Sequence, residues 1–273
     1  MSQPDLPHQI NPAGTAPHAY IGTSGWNYRE WRPGFYPAGL PARQWLSYYA
    51  GIFDSVEINY SFYRLPAVEA CEAWYRQTPE HFRFAVKASR YLTHIKRLKD
   101  VEEPWDKFVG RIEILREKLG PVLLQFPRHF DAREANLKGL EQFLRMARQR
   151  NPAQRLAFEF REESCHDQAM CSLLRQYGAA LVTAHSTRYP VADPGPTGSF
   201  AYFRFHGPRE MFASSYSSAE LAGWAAQIRR LTQQGDVYAF FNNDSGGHAP
   251  PNALALKQHV YPNLPDAASD PLR

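Results

Sequence analysis

Short segments in which apolar and polar residues alternate recur eight times along this 273-residue chain, the period-two pattern of a strand with two unlike faces. They lie near residues 19–24, 54–59, 82–87, 121–126, 155–160, 179–185, 200–206 and 237–243. Between most of them, apolar residues recur at three- and four-residue spacing, which predicts helices over 41–51, 67–78, 104–118, 132–150, 164–177, 217–234 and about 250–260. The segment after His185, STRYPVADPGPTG, holds three prolines and two glycines and cannot sustain a helix. This alternation predicts an α/β fold, a single (β/α)8 TIM-type barrel over residues 19–262 with its sixth helix replaced by a loop. The polar, proline-rich residues 1–18 and residues 263–273 read as tails. An open doubly wound sheet is the alternative, because strand count alone does not demand closure.

A strand covered by helices turns its apolar parity toward them, so the other parity must line the barrel. That second parity carries Glu57 and Asn59 in DSVEIN, Lys87 in FRFAVK, Gln125 in PVLLQF, Glu159 and Arg161 in LAFEFR, and Arg204 and His206 in AYFRFH. ALVTAHS ends on His185, and VYAFFNND ends on Asn242, Asn243 and Asp244. Ionisable groups gathered at one end of many strands are the sequence mark of a TIM-barrel active site. An unpaired buried ion costs several kcal/mol, so these groups must pair, meet water at a mouth or bind a ligand. Glu57, Lys87, Glu159, Arg161 and Arg204 set two negative against three positive charges, a surplus that favours an anionic substrate. His185 and His206 add groups that titrate near neutral pH. The plainer reading is a structural ion-pair network, although such networks alone rarely recover their desolvation cost.

Composition narrows the class only a little. A net charge of +4 neither requires nor excludes a polyanionic partner. No apolar run is long enough to span a membrane, and the N-terminus lacks the apolar segment of a secretory signal. Cys71, Cys165 and Cys171 form no CxxC pair and fit reduced thiols in a cytoplasmic protein. Either a monomer or a homo-oligomer is compatible with the sequence.

The segments GTSGWNYREW with FYP, VEINYSFYRLP, FRFAVKASRYLTH, LGPVLLQFP, AFEFR, YFRFHG and FNNDSGGHAPPNALAL together resemble the domain-of-unknown-function 72, or YecE-like, family. The resemblance runs from about Tyr20 to Pro262. It implies a TIM-type barrel in a largely cytosolic bacterial and archaeal family and does not by itself imply a reaction. Two segments depart from the family pattern. His185 stands where the sixth strand tends to end on an aspartate. The Arg-x-x-Ser-Trp after the fifth strand reads Arg161-Glu162-Glu163-Ser164-Cys165. A site needing a carboxylate on strand six must here use another group.

Four constellations carry possible chemistry. Glu57, Glu159, His185 and His206, with His94 and Asp244 nearby, offer ligands for a divalent metal, but no HxH or HExxH spacing supports one. Glu57 and Glu159 on opposite walls can act as an acid–base pair, as in glycosidases, with Trp26, Tyr28, Trp31 and Tyr36 stacking on a sugar or simply packing the rim. Gly207 and Arg209 after strand seven, with Gly246 and Gly247 after strand eight, occupy the usual phosphate site of such barrels just before a helix. Residues 87–99 carry Lys87, Arg90, Lys96, Arg97 and Lys99 around Tyr91 and His94, beside Tyr60, Phe62, Tyr63 and Arg64, a mix that suits a nucleic acid or is merely a solvated basic face. There is no Walker loop, dinucleotide fingerprint or GxSxG elbow.

The resulting expectation is a hydrolase or lyase acting on an anionic, phosphate-bearing substrate at the carboxyl ends of the strands. Glu57 and Glu159 are its acid–base pair, and His206 or His185 is a second proton carrier. Lys87, Arg161 and Arg204 neutralise charge. Gln125, Asn243, Asp244, Trp26, Tyr28, Tyr63 and His94 contact substrate. The alternatives are a nucleic-acid or nucleotide-binding barrel and a carboxylate-pair glycosidase. No cofactor follows from the sequence.

Overall fold

The structure, a computed structural model, describes residues 16–188 and 195–263. Its strands are β1 (Ala19–Thr23), β2 (Ser55–Ile58), β3 (Arg83–Lys87), β4 (Leu119–Gln125), β5 (Leu156–Glu159), β6 (Ala180–Leu181), β7 (Thr183–His185), β8 (Phe200–Phe205) and β9 (Asp236–Phe241). Every paired neighbour is parallel, in the orders β2-β3-β4-β5-β6 and β7-β8-β9-β1. β6 and β7 are two halves of one strand interrupted at Val182, whose N–H still donates to Phe158 O at 2.9 Å. Eight strands therefore follow one another in sequence order around a ring. A doubly wound sheet would instead reverse its strand order at a switch point.

The seam between β1 and β2 is closed by side chains. Thr23 N–H donates to the Tyr49 hydroxyl at 2.9 Å, and that hydroxyl donates to Ser55 O at 3.0 Å. Ile21 N–H donates to Asp54 Oδ1 at 3.2 Å. The strands approach so closely here that a Cβ on Gly22 would lie 2.0 Å from Ser55 O. Only glycine fits.

The helices are α1 (Trp45–Ala50), α2 (Tyr60–Tyr63), α3 (Val68–Arg76), α4 (Glu102–Ile112), α5 (Glu134–Arg150), α6 (Gln168–Gln176), α7 (Ser218–Thr232) and α8 (Ala249–Val260). α7 opens with a capping box between Ser217 and Glu220. Residues 186–188 and 195–199 hold no helix. The rest of the loop expected there, 189–194, lies outside the described residues, as do 1–15 and 264–273 of the expected tails.

Two cores follow from the strand alternation. Ile21, Val56, Ile58, Phe84, Val86, Leu124, Phe158, Phe203, Phe205 and Phe241 pack outward against the helices. Ala85, Leu123, Ala157, Ala180, Val182, Phe200, Tyr202, Tyr238 and Phe240 fill the barrel interior as a separate cluster. Each large side chain fully buried in this way contributes about 1.5–3 kcal/mol. The three cysteines are buried and unpaired. Among the described residues, no helix is long and apolar enough to cross a membrane. Clefts of about 440 Å³ and 610 Å³ open at the amino ends of the strands, by His18 and Asp54 and by Arg155 and Gly235, away from the charged strand ends.

Candidate active site at the carboxyl ends of the strands

Arg204, from β8, points inward because it shares the parity of Tyr202 and alternates with Phe203 and Phe205. Its guanidinium joins two buried carboxylates from opposite walls. Nε and one terminal nitrogen donate to Glu57 Oε2 and Oε1 at 3.0 and 2.7 Å, and the other terminal nitrogen donates to Glu159 Oε2 at 2.5 Å. The Ser24 and Tyr202 hydroxyls each donate to Glu57 at 2.7 Å. Burial opposes ionisation of both carboxylates, but the Arg204 charge outweighs it and holds each below the usual carboxylate range. Glu57 therefore has both oxygens engaged. It anchors Arg204 with both of them, where the sequence predicts a proton carrier.

Glu159 differs. Its Oε1 has no hydrogen-bond partner among the described residues and faces His206 Nε2, equally unpartnered, at 3.9 Å. Asn242 Nδ2 lies 3.1 Å from His206 Nδ1. The amide N–H donates to Nδ1, which leaves the ring proton on Nε2, aimed at Glu159. Burial first, and the Arg204 charge second, push His206 down to about 3, so the ring is neutral. A hydrogen-bond donor and an ionised acceptor thus face one another across a gap that one small polar atom can bridge.

Lys87, at the end of β3, joins this group. Its ammonium lies over the Phe62 ring, 4.2 Å from the centroid. Burial, with Arg204 and Arg161 also repelling its charge, lowers it to about 7, although Glu159 and Glu57 pull the other way. His94 is lowered to about 4 by burial and by the Lys87 and Arg161 charges. It bonds Thr93 Oγ1 through Nδ1 at 2.9 Å and meets the edge of Phe62. Arg161 lies within electrostatic range of Lys87, Glu159 and His206.

Asp244 lies half-buried nearby, with Oδ1 buried and unpartnered among the described residues. Desolvation, then the Glu30 and Glu57 charges, raises it well above the ordinary carboxyl range. Tyr28 donates to Ser24 O at 2.7 Å and also interacts with Asp244. Gln125 reaches inward but spends its amide N–H on Phe126 O at 3.0 Å.

Several expected residues go elsewhere. His185 takes the outer parity of its strand, bonds the Tyr216 hydroxyl at 2.9 Å and packs against Trp224 of α7, so the structure does not bring it to the inward cluster of Glu57, Glu159 and Arg204. Asn243 likewise faces outward. It donates to Ser214 O and Asn252 Oδ1 at 2.9 and 2.8 Å, which ties a loop to α8. Asn242, one residue earlier, holds the inward parity.

The expected anion cradle is spent internally. Gly207 N–H donates to the Tyr216 hydroxyl at 3.2 Å, and Gly247 N–H to Asp244 O at 2.9 Å. Arg209 is largely exposed, donates to Ser215 O at 2.5 Å and faces Glu220. Gly246 lies beside them in the same turn, at φ 80°. α8 then begins Ala249-Pro250-Pro251, so two of its first amides are missing. Trp26 packs on Trp74, while Trp31 and Tyr36 are fully buried, so these rings pack the rim. Tyr63 projects into solvent, 74% exposed.

The expected catalytic and substrate residues did not include Tyr202, Ser24 or Asn242, and Phe62 was expected only beside the basic loop. Tyr202 and Asn242 were open to the same parity argument that found Arg204 and His206. The Phe62 contact requires the tertiary fold. No group of three or more His, Cys, Asp and Glu side chains among the described residues is placed to hold a metal ion.

The fold and this cluster define a TIM-type barrel protein with a buried carboxylate–guanidinium core at its carboxyl mouth. The chain belongs to the family described as "Protein of unknown function DUF72", whose pattern matches residues 20–271. It is 28% identical to the UPF0759 protein YunF of Bacillus subtilis, covering 87% of this chain and 93% of that one. It is 32% identical to the UPF0759 protein YecE of Escherichia coli over 115 residues. A crystal structure of a DUF72 family protein from Thermotoga maritima matches with a TM-score of 0.80 and 31% identity, over 89% of this chain and 99% of that one. A putative vitamin-B12 independent methionine synthase from Listeria monocytogenes matches at 0.53 and 9% identity over 92% of this chain and 99% of that one, a likeness of fold alone.

Proposed function

We propose that this protein is an enzyme of hydrolase or lyase type that acts on a small anionic substrate at the carboxyl mouth of the barrel. The observation that carries this reading is the facing pair Glu159 Oε1 and His206 Nε2, both buried and both without a hydrogen-bond partner among the described residues, 3.9 Å apart. Buried polar groups are nearly always satisfied, so this gap suits a substrate or water oxygen. Ionised Glu159 accepts a proton, and neutral His206 donates a hydrogen bond to developing negative charge. Arg161 supplies positive charge for a carboxylate or phosphate on the substrate. A cytoplasmic location fits the three unpaired cysteines.

A glycosidase mechanism is less well supported, because the Arg204 guanidinium fills the space between the two carboxylates where a glycosidic oxygen would enter. The nucleic-acid reading rests on a different observation. Tyr60, Tyr63 and Tyr91 are 52%, 74% and 41% exposed on the segments that follow β2 and β3, with Arg64, Arg90, Lys96 and Arg97 among them.

A thermal-shift screen of phosphorylated metabolites, carboxylic acids, sugars and oligonucleotides, followed by turnover assays on the binders, tests these readings. The enzyme reading expects conversion of a bound anion and a two-limbed pH profile, both lost in Glu159→Gln. Salt-sensitive oligonucleotide binding without turnover would replace it with the second reading.

A further inference from the structure

The proposed reading leaves one buried nucleophile without a chemical step. Lys87 is held at the carboxyl end of β3 with its backbone carbonyl accepting from Ser61 Oγ at 2.6 Å, and the residue is 8% exposed. Its amine rests against the face of Phe62, with the charges of Arg204 and Arg161 nearby. A lysine desolvated beside fixed cations is one that becomes a neutral, nucleophilic amine near neutral pH. The depression to about 7 agrees with that environment. By contrast, Lys96 and Lys99, on the loop that follows, are exposed or half-exposed.

We infer that Lys87 is a covalent nucleophile that forms a Schiff base with the aldehyde or ketone group of an anionic substrate, an assignment that deepens the enzyme reading above and rests on it. The neutral Nζ attacks the carbonyl carbon, and the carbonyl π electrons move to oxygen, which takes up a proton from solvent to give an N-protonated carbinolamine. The nitrogen loses a proton, for which ionised Glu159 Oε1 is the cluster's open acceptor. The hydroxyl takes that proton back from Glu159 and leaves as water while the nitrogen lone pair forms the C=N bond. No oxidant or reductant is required. Protonated, the iminium withdraws electrons from the neighbouring carbon, which suits carbon–carbon or carbon–heteroatom lyase chemistry.

The full-length protein is incubated separately with pyruvate and with glyceraldehyde 3-phosphate in the presence of sodium cyanoborohydride, then digested and mapped by mass spectrometry. The expected result is a reduced adduct concentrated on Lys87 with at least one probe, with labelling at pH 7 at least about tenfold above that of the exposed lysines. Labelling at Lys87 should fall away below about pH 7, and Lys87→Arg should lose the adduct. Mapping the unmodified protein settles the point even if that variant fails to fold. Adducts spread over surface lysines with Lys87 unmodified, or no adduct from either probe, overturn the inference. If anion-dependent thermal shifts and their sensitivity to Glu159→Gln persist in that case, only the Schiff base falls and the enzyme reading stands.

Discussion

Arg204 is the residue on which the site turns, and the energetics of buried ion pairs say how. Its two partners are wholly buried, so Arg204→Ala leaves Glu57 and Glu159 repelling one another without compensation. A loss of about 3–5 kcal/mol is expected, read as a lower denaturant midpoint. Glu159→Gln should cost the fold less, because it removes one partner but keeps a hydrogen-bonding group there, and should abolish turnover. If instead Glu159→Gln binds and converts substrate like the parent, the facing-pair reading of Glu159 and His206 is wrong. At this scale the sequence showed which charges share a face, because alternation fixes direction. It could not show that Glu57 is saturated by Ser24, Tyr202 and Arg204 while Glu159 keeps one oxygen open. Those partners lie up to 147 residues apart in sequence.

The β1–β2 seam shows what the elements add. Hydroxyl and carboxylate side chains stand in for ladder bonds there, so the seam depends on single residues. Tyr49→Phe would leave Thr23 N–H and Ser55 O without their bridge, at about 1–3 kcal/mol. Gly22→Ala would drive a Cβ into Ser55 O and cost at least as much, measured by thermal unfolding. Ser217→Ala, which breaks the α7 capping box, should cost about 1 kcal/mol without touching the site. Most helices and all eight barrel strands were legible as periodicity. The short α2 and the π-helical turn Tyr91–Ile95 were not, since each is too brief to display a period. Strand parity also decided His185 and Asn243, which were chosen for their chemistry although both fall on the outward face.

Over the whole molecule, the buried groups give a pH dependence of defined sign. His206 is lowered from 6.5 to about 3, so the unfolded chain takes up its proton first, and stability falls as pH drops through that window. Glu159, lowered to about 2 from 4.5, adds stability above 4.5 that is lost on further acidification. Lys87, lowered from 10.5 to about 7, costs the fold most at and below pH 7, and that cost is relieved as pH rises toward 10.5. Asp244, raised, acts in the opposite sense above its ordinary value. Urea unfolding at pH 8, 6 and 4 should therefore show a midpoint that declines with acid, and His206→Gln should flatten the decline between pH 6 and 4. A midpoint indifferent to pH in the parent would contradict the buried, neutral state of His206. The amino-acid order by itself determined the eight-fold alternation, the two faces of each strand and the set of charges that turn inward, because these depend on neighbours a few residues apart. Ring closure through Tyr49 and Gly22, the internal use of the glycine-loop amides and the meeting of Lys87, Glu159 and His206 were decided only by the tertiary structure. Each joins segments distant in the chain, and which polar group finds a partner is a property of the packed whole.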